Sequence, residues 1–253
     1  MAKKLRLENK VAIITGAGSG IGRATALIFS REGAKILVAD WSDTGGKETV
    51  EQIKKEKGEA IFVKTDVSNA ENVNKMADIC LAEFGRIDIL VNNAGIVKFG
   101  PLHETSESDW DTVLNVNLKS VFLCSKKVIP GMLKQGGGKI VNVSSIAGLV
   151  GFDQIGSYCA SKGGIIALTR EMALEYAPRK ININCIAPGV IKTAMTKDMI
   201  ADPAQRQFFE SSTPYPRLGE SEDIAMATVY LASGESDFVA GEVLVVDGGW
   251  TIK

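Results

Sequence analysis

Near its start the chain reads Thr15-Gly16-Ala17-Gly18-Ser19-Gly20-Ile21-Gly22. The apolar residues 11–15 lead into this stretch and predict a buried strand, and residues 21–31 after it predict an amphipathic helix. Glycines let the backbone turn sharply between the two elements, and the first turn of a helix offers N–H groups without intrahelical partners. The pattern predicts a strand–turn–helix unit that can hold a phosphate group.

The rest of the chain repeats this alternation of strand and helix. Further strands are predicted at residues 34–40, 60–66, 87–92, 139–144, 181–186 and 242–246, and further helices at residues 44–57, 70–84, 109–132, 157–177 and 221–232. Continuous apolar runs such as Ile36-Leu37-Val38-Ala39 are typical of parallel strands covered by helices on both faces. We therefore predict an α/β fold with a Rossmann-type, doubly wound parallel β-sheet of about seven strands flanked by helices.

No linker, internal repeat or low-complexity tract divides residues 1–253, so we expect one domain. Residues 193–217 contain three prolines and show weak periodicity. This segment is predicted to be a mobile cover or two short helices, in a place suited to a substrate lid.

Composition excludes several classes of function. The 29 basic and 30 acidic residues give a net charge of -1, which argues against nucleic acid or an anionic membrane surface as a partner. No apolar run approaches the length of a membrane span, and no apolar signal region follows the basic first residues, so we expect a cytoplasmic protein. The four cysteines form no C-x-x-C pair and are predicted to be reduced thiols rather than metal ligands or disulfides.

The chain has a single histidine, His103. A zinc site built on several histidines is therefore excluded, and any Ser-His-Asp triad would have to use this residue alone. We predict no metal site. His103 is interpreted as a surface or rim residue, with a polar contact at a substrate mouth as the alternative.

Asp40 ends the second predicted strand, about 20 residues after the glycine-rich turn. An acidic side chain at this distance can accept hydrogen bonds from an adenosine ribose. Its carboxylate would repel a 2′-phosphate, and Trp41 follows where an arginine or lysine would favour one, so NAD is predicted over NADP. Arg23 and Lys47 could reach a phosphate and keep NADP as the alternative cofactor. The competing interpretation of Asp40 is a turn or helix cap.

A second group of polar residues lies in the later half of the chain. Tyr158 and Lys162 are four positions apart at the start of a predicted helix, so their side chains share one helix face. Ser145 ends the preceding strand, at the edge of the sheet where parallel-sheet proteins bind ligands. A solvated helix face is the alternative interpretation of the Tyr-Lys pair.

With these residues the sequence resembles the classical short-chain dehydrogenase/reductases over nearly its whole length. The resemblance rests on residues 15–22 (TGxxxGxG), Asn92-Asn93-Ala94-Gly95, Asn115-Val116-Asn117-Leu118, Ser145, Tyr158-Cys159-Ala160-Ser161-Lys162, Pro188-Gly189 and Val246-Asp247-Gly248-Gly249. Each motif alone is modest, and their shared order and spacing are specific.

The resemblance implies four catalytic residues, Asn117, Ser145, Tyr158 and Lys162. Tyr158 would take the proton of an alcohol while its hydride passes to a nicotinamide, and Ser145 would hydrogen-bond the substrate oxygen. Lys162 would also bind the nicotinamide ribose, and Asn117 would kink its helix and hold a water in a proton relay. A tyrosine pKa near 10 must fall by about 2 to 3 pH units, or about 3 to 4 kcal/mol, for work at neutral pH. One ammonium at about 4 Å supplies about 4 kcal/mol at an effective dielectric constant near 20.

The glycine-rich turn, Asp40 and the resemblance together give a predicted cofactor site: Gly16, Ser19, Gly20, Ile21, Gly22, Asp40, Trp41, Asp66, Val67, Asn93, Ala94, Gly95, Tyr158, Lys162, Pro188, Gly189, Ile191 and Thr193. Asp66 could equally cap the following helix. Ser144, beside Ser145, is interpreted as a structural hydroxyl. Predicted substrate contacts are Ser145, Gln154, Phe99, Phe152 and Tyr215, chosen because they follow strands or lie in the lid.

These residues predict an NAD-dependent oxidoreductase that interconverts a secondary alcohol and its ketone. The alternative within the family is a 3-oxoacyl-[acyl-carrier-protein] reductase-like enzyme that uses NADPH, against which Asp40 argues. A dinucleotide-binding regulator without chemistry would show a broken catalytic set, and this one is intact. The resemblance also implies a homotetramer built partly on the helix at residues 157–177.

Overall fold

A computed structural model describes residues 5–252 and contains one seven-stranded sheet. Its strands are β1 (Val11–Thr15), β2 (Lys35–Asp40), β3 (Ala60–Lys64), β4 (Ile89–Asn92), β5 (Gly138–Val143), β6 (Ile181–Pro188) and β7 (Val243–Val246). All neighbouring pairs are parallel, in the order β3-β2-β1-β4-β5-β6-β7. The predicted doubly wound parallel sheet is confirmed, and the strand order reverses between β1 and β4, where such sheets open a crevice.

Helices cover both faces of the sheet. They are α1 (Gly20–Arg31), α2 (Asp43–Lys55), α3 (Ala70–Phe84), α4 (Glu107–Leu114), α5 (Ser120–Lys134), α6 (Gly156–Tyr176), α7 (Lys197–Ala201), α8 (Pro203–Ser212) and α9 (Ser221–Ala232). Among these described helices none is long and apolar enough to cross a membrane.

Neighbouring residues of each central strand belong to two different buried clusters. Ile13 and Leu90 pack with residues of α3, α5 and α6 on one face of the sheet. Ile14 and Val91 pack with residues of α1, α2 and α9 on the other. Because successive side chains point to opposite faces, a strand covered on both sides must be apolar at every position. This explains the continuous apolar runs from which the fold was predicted.

Two stretches differ in detail from the sequence-based expectation. The helix predicted at residues 109–132 is α4 followed by a widened π turn, Asn115–Lys119, and then α5. A single widened turn leaves the apolar periodicity on either side intact, so the sequence pattern does not reveal it. In residues 193–217 the structure has two short helices, α7 and α8, which was one of the two expectations.

A buried chain of polar side chains joins the strands and helix beneath the crevice. The Asn92 Nδ2 donates to Asn142 Oδ1 at 2.9 Å, and the Asn142 Nδ2 donates to Thr169 Oγ1 at 2.9 Å. Thr169 Oγ1 in turn donates to the carbonyl of Ile165 at 2.7 Å. Asn142 and Thr169 are fully buried. These hydrogen bonds therefore fix β4, β5 and α6 relative to one another.

Replacing Asn142 with alanine tests how much these buried hydrogen bonds contribute to stability. Asn142→Ala removes the 2.9 Å acceptor of the buried Asn92 amide, which keeps only the longer contact with Ser125 Oγ at 3.4 Å, and it removes the donor to Thr169. We expect the free energy of unfolding to fall by about 2 to 3 kcal/mol, measured by urea denaturation. Asn74→Ala, at an exposed position of α3, is the matched control and should change it by less than about 0.5 kcal/mol. Equal effects of the two substitutions would contradict the role given to Asn142.

Candidate active site

A cleft of about 720 Å³ opens at the carboxyl ends of the strands. Of the predicted site residues it is lined by Gly16, Ser19, Gly20, Ile21, Asp40, Trp41, Asp66, Val67, Asn93, Ala94, Gly95, Ser145, Tyr158, Lys162, Pro188, Gly189, Ile191 and Thr193. It is also lined by residues outside the predicted cofactor and catalytic sets: Thr65, Ser68, Ile96, Thr112, Val116, Val143, Ser144, Ala194, Met195 and Thr196. Most of these are sequence neighbours of predicted residues, and adjacency was the only available signal.

The glycine-rich turn forms one wall of the cleft between β1 and α1. Gly16 and Gly20 have φ angles of +65° and +50°, a left-handed conformation that favours glycine. A Cβ on Gly16 would lie 2.9 Å from the Cα of Ala94, so the turn also packs closely against the segment after β4. At the start of α1, the Ser19 side chain makes no capping hydrogen bond. The wall thus combines a bare backbone with a helix N-terminus, which fits the pyrophosphate of a dinucleotide.

Gly22 lies beneath this turn and does not line the cleft. A Cβ there would lie 2.1 Å from the carbonyl oxygen of Gly16 and 2.6 Å from Asn93 Nδ2. Its contact with a cofactor therefore stays a prediction, and what the structure shows at Gly22 is packing against protein. The glycine is needed because the helix packs directly against the turn, and a motif pattern does not separate a glycine that approaches a ligand from one that approaches the protein.

Asp40 has both of the roles considered for it. Its Oδ2 accepts a hydrogen bond from the backbone N–H of Gly18 at 2.7 Å, and its Oδ1 accepts one from the N–H of Ser42 at 2.8 Å. The same carboxylate lines the cleft. Asp40 therefore stabilises the turn after β2 and also presents negative charge at this end of the cleft.

Arg23 and Asp66 differ from the expectations for them. The Arg23 guanidinium donates to the carbonyl of Gly18 and pairs with Glu48 at 2.9 Å, and it is absent from the cleft lining. It is thus bound elsewhere rather than open to a 2′-phosphate. The Asp66 Oδ1 accepts from the N–H and the hydroxyl of Ser68, whereas α3 is capped by Asn69. Asp66 caps a turn, not the helix.

The reactive end of the cleft brings together three of the four predicted catalytic residues. Ser145 follows β5, and Tyr158 and Lys162 lie one turn apart in α6. The hydroxyls of Ser145 and Tyr158 are hydrogen bonded. The Lys162 Nζ donates to the carbonyl of Val143 at 2.8 Å and lies 5.4 Å from the centre of the Tyr158 ring.

Burial dominates the electrostatics of this end. It raises the pKa of Tyr158 to about 12, against a smaller opposing effect of the hydrogen bond with Ser145. Burial also lowers the pKa of Lys162 to about 8. The expected lowering of the tyrosine pKa is not present in the chain without a cofactor, because burial outweighs the hydrogen bond with Ser145. At neutral pH Tyr158 is a protonated phenol, ready to donate.

Asn117 is fully buried in the π turn and does not line the cleft. Its Oδ1 accepts from the N–H of Ile96 at 2.8 Å, and its Nδ2 donates to the carbonyl of Ile96 at 2.9 Å and to Ser161 Oγ at 3.0 Å. Ser161 Oγ donates to the carbonyl of Tyr158 at 2.7 Å. Through these bonds the Asn117 side chain joins the segment after β4 to the first turn of α6.

The predicted substrate contacts other than Ser145 lie outside the cleft lining. Phe152 stacks on Trp250 at 5.8 Å between ring centres, and Tyr215 lies 5.3 Å from the Arg217 guanidinium. Phe99 is 59% exposed, and Gln154 occupies a turn with φ of +59°. Their contact with a substrate therefore stays a prediction, since a position after a strand places the backbone near the cleft and does not decide where the side chain points. At this end the lining comes from Ile96, Thr112, Val116 and Met195.

The structure also locates two residues that were weighed as structural. The Ser144 Oγ donates to the carbonyl of Lys162 at 2.8 Å, which holds the end of β5 against α6. The His103 side chain is 81% exposed, lies 3.5 Å from Glu104 Oε1 and is absent from the cleft lining. Both agree with the interpretations favoured from the sequence.

The buried lysine predicts how stability depends on pH. The ordinary lysine pKa of 10.5 applies in the unfolded chain, whereas burial lowers that of Lys162 to about 8. Between these values the unfolded state holds more protons, so stability rises with pH. We expect the unfolding free energy of the wild type, minus that of Lys162→Met, to rise by about 2 kcal/mol from pH 8 to pH 10. Urea denaturation of both proteins without cofactor measures this, and a pH-independent difference would contradict it.

Comparison with known proteins agrees with this geometry. The family model described as enoyl-(acyl carrier protein) reductase matches residues 16–251. The chain is 42% identical to 3-oxoacyl-[acyl-carrier-protein] reductase of Thermotoga maritima over 98% of this chain and all of that protein. It is 39% identical to cyclopentanol dehydrogenase of Comamonas sp., over 97% of this chain and 98% of that one.

Among solved structures, a 7α-hydroxysteroid dehydrogenase complexed with NADH and 7-oxo glycochenodeoxycholic acid superposes with a TM-score of 0.94 at 36% identity, covering 97% of this chain and 96% of that chain. The relatives are short-chain dehydrogenases and reductases that differ in substrate. The chain therefore belongs to the classical short-chain dehydrogenase/reductase family of NAD(P)-dependent oxidoreductases.

Proposed function

We propose that the protein is an NAD-dependent dehydrogenase that interconverts a secondary alcohol and its ketone. The observation that carries this proposal is the meeting of Ser145, Tyr158 and Lys162 at one end of a cleft whose other end has a glycine-rich turn and Asp40. A hydroxyl, a phenol and an ammonium close together are what proton transfer to or from a substrate oxygen requires. The similarity to cyclopentanol dehydrogenase supports an alcohol as substrate.

The lining residues fit NAD in one extended arrangement. Gly16, Ser19, Gly20 and Ile21 would hold the pyrophosphate, Asp40 and Trp41 the adenosine ribose side, and Asp66 and Val67 the adenine. Asn93, Ala94 and Gly95 form the floor, and Pro188, Gly189, Ile191 and Thr193 would hold the nicotinamide. NAD, when bound, supplies the hydride acceptor and a positive charge beside the reactive end.

The chain's own residues handle the proton. In ketone reduction Tyr158, protonated at neutral pH, donates to the substrate oxygen, and in alcohol oxidation it accepts that proton. Ser145 hydrogen-bonds the same oxygen and stabilises the charge that develops there. Lys162 supplies a second positive charge beneath the phenol, which opposes the burial effect on Tyr158. Asn117 joins the segment after β4 to α6 through its side-chain hydrogen bonds. Both hydrogens of its Nδ2 are used in these bonds, so a relay water would have to bind to another atom of the residue.

The cofactor preference follows from charge at the adenosine end. Asp40 lines the cleft and would repel a 2′-phosphate, and Arg23 is bound to Gly18 and Glu48 rather than open to one. The second candidate is a 3-oxoacyl-[acyl-carrier-protein] reductase-like activity with NADPH, favoured by the 42% identity to the Thermotoga maritima enzyme. The charge at Asp40 favours NAD and therefore the first candidate.

We also propose a single catalytic domain in a cytoplasmic homotetramer, with α7 and α8 as the substrate lid. The lid assignment is supported by Thr193, Ala194, Met195 and Thr196, which line the cleft at the start of this segment. The tetramer is supported by an apolar side chain on the outer side of α6, Leu174, which is 83% exposed in the single chain.

Removal of the phenol hydroxyl tests the acid-base role. We expect Tyr158→Phe to lower kcat with the best secondary alcohol by at least about 1,000-fold, because the proton has no other carrier. NADH binding, followed by fluorescence titration, should stay within about threefold of the wild type, since the ring remains. Activity above a tenth of the wild-type value would contradict the role of Tyr158. Substrates are found by recording NAD reduction with secondary alcohols, polyols, sugars and hydroxysteroids.

Substitution at Asp40 tests the cofactor preference. The wild type should prefer NAD over NADP by at least about 100-fold in kcat/KM, and Asp40→Ala should narrow the ratio by about tenfold or more because the repulsion is lost. Asp43→Ala removes a nearby exposed carboxylate that pairs with Lys64, and it should leave the ratio unchanged. Comparable wild-type rates with both cofactors would instead favour the NADPH-dependent alternative.

A further inference from the structure

The carbonyl oxygens of residues 15–18, in the first half of the glycine-rich turn, accept hydrogen bonds from side chains outside the turn. The Asn93 Nδ2 donates to the carbonyl of Thr15 at 2.9 Å and to that of Gly16 at 3.2 Å. The next two carbonyls, of Ala17 and Gly18, are bonded from the opposite side, by residues that do not line the cleft. Two of these four carbonyl oxygens, those of Ala17 and Gly18, are thus bonded to donors that lie outside the cleft lining.

The donors to Ala17 and Gly18 are Thr49 in α2 and Arg23 in α1. The Thr49 Oγ1 donates to the carbonyl of Ala17 at 2.9 Å, and the Arg23 guanidinium donates to the carbonyl of Gly18. The two donors also contact each other, because Arg23 Nε donates to Thr49 Oγ1 at 3.1 Å. They form one connected support behind the turn.

The close approach of α2 to the turn depends on Gly45. A Cβ at this position would lie 2.7 Å from the carbonyl oxygen of Gly18. The Gly45 carbonyl is itself an acceptor for Arg23, at 3.3 Å. The helix therefore lies directly against the back of the turn, which brings the Thr49 hydroxyl within reach of Ala17.

We propose that Thr49 and Arg23 are positioning residues for the dinucleotide, because they hold the carbonyls of Ala17 and Gly18 away from the pyrophosphate. This rests on the proposed NAD site. A carbonyl oxygen carries partial negative charge and repels a phosphate, whereas backbone N–H groups attract one. A turn that is free to rotate these peptides binds only in the fraction of molecules with the correct orientation, so its apparent affinity falls in proportion.

The Thr49 hydroxyl has one hydrogen, which is shared between the carbonyl of Ala17 in the turn and a carbonyl of its own helix. The Thr49 hydroxyl already lies 3.0 Å from the carbonyl of Gly45 in its own helix. Thr228 in α9 is equally buried and donates to the carbonyl of Ile224 in its own helix at 2.8 Å. It has no such bond to the turn among the hydrogen bonds of residues 5–252, and so it is a matched control.

The experiment compares Thr49→Val, Thr49→Ser and Thr228→Val with the wild type. NADH and NADPH affinities are measured by fluorescence titration, KM for NAD and kcat by steady-state assay, and Tm by thermal unfolding. In Thr49→Val we expect the NADH Kd and the KM for NAD to rise about tenfold while kcat stays within about twofold, since the reactive end is unchanged. Thr49→Ser keeps the hydroxyl and should restore both values. Thr228→Val should leave the NADH Kd unchanged.

A Thr49→Val Kd within twofold of the wild type overturns the positioning role, and so does equal weakening by Thr228→Val, which would indicate a general loss of stability. A wild type that binds neither NADH nor NADPH overturns the proposed function together with this inference, so the two failures are distinguishable.

Arg23 gives a second test that does not depend on the folding of the Thr49 variants. Arg23→Met should raise the NADH Kd in the same way. In the double variant with Thr49→Val, the fold-increase in Kd should be smaller than the product of the two single fold-increases, because the residues act as one support. Glu48→Gln removes the charge partner of Arg23 and should leave the Kd within twofold. An unchanged Kd in Arg23→Met overturns the role of that residue.

Discussion

The structure depends on the pairing of β1 with β2 on one side and with β4 on the other. The strands that follow β1 in the chain are added on one side of it, and β4 and the later strands are added on the other side. The connections that leave β1 and β4 therefore lie on opposite faces of the sheet, and a crevice opens between them. The glycine-rich turn leaves β1 and Asn93 leaves β4, so both reach the same opening. Every residue of the cleft is placed by an element whose position in the sheet follows from this arrangement.

Within the crevice, burial shifts the pKa of both Tyr158 and Lys162. Lys162 is almost fully buried, with a single backbone acceptor at Val143, and Tyr158 lies beside it. In water each group would have its ordinary pKa, and their mutual influence would be small. Inside the cleft burial moves the two pKa values apart, that of Tyr158 upward to about 12 and that of Lys162 downward to about 8. A positive charge that arrived with the proposed cofactor would therefore act strongly on the tyrosine and would couple proton transfer to occupancy of the cleft.

The fold and the backbone of the site were predictable, whereas side-chain direction was not. Gly16, Asp40, Tyr158 and Lys162 belong to short patterns whose placement follows from a strand end or a helix face, and they lie in one cleft. Phe152 and Tyr215 are in irregular segments, where packing against Trp250 and Arg217 decides their direction. The pKa of Tyr158 was misjudged because its burial depends on residues distant in sequence. The pattern of glycines likewise did not separate Gly22, which packs against protein, from Gly16.

The alternation of Ile13 and Ile14 between two buried clusters limits how such a protein changes during evolution. Insertion of one residue into a central strand would exchange the faces of every following side chain, and both clusters would lose their packing together. The segments beyond the carboxyl ends of the strands carry no such constraint, since they pack on one side only. Side chains at the carboxyl edge of the sheet can therefore be exchanged for a different substrate without disturbing either buried cluster, whereas a change within the strands disturbs both.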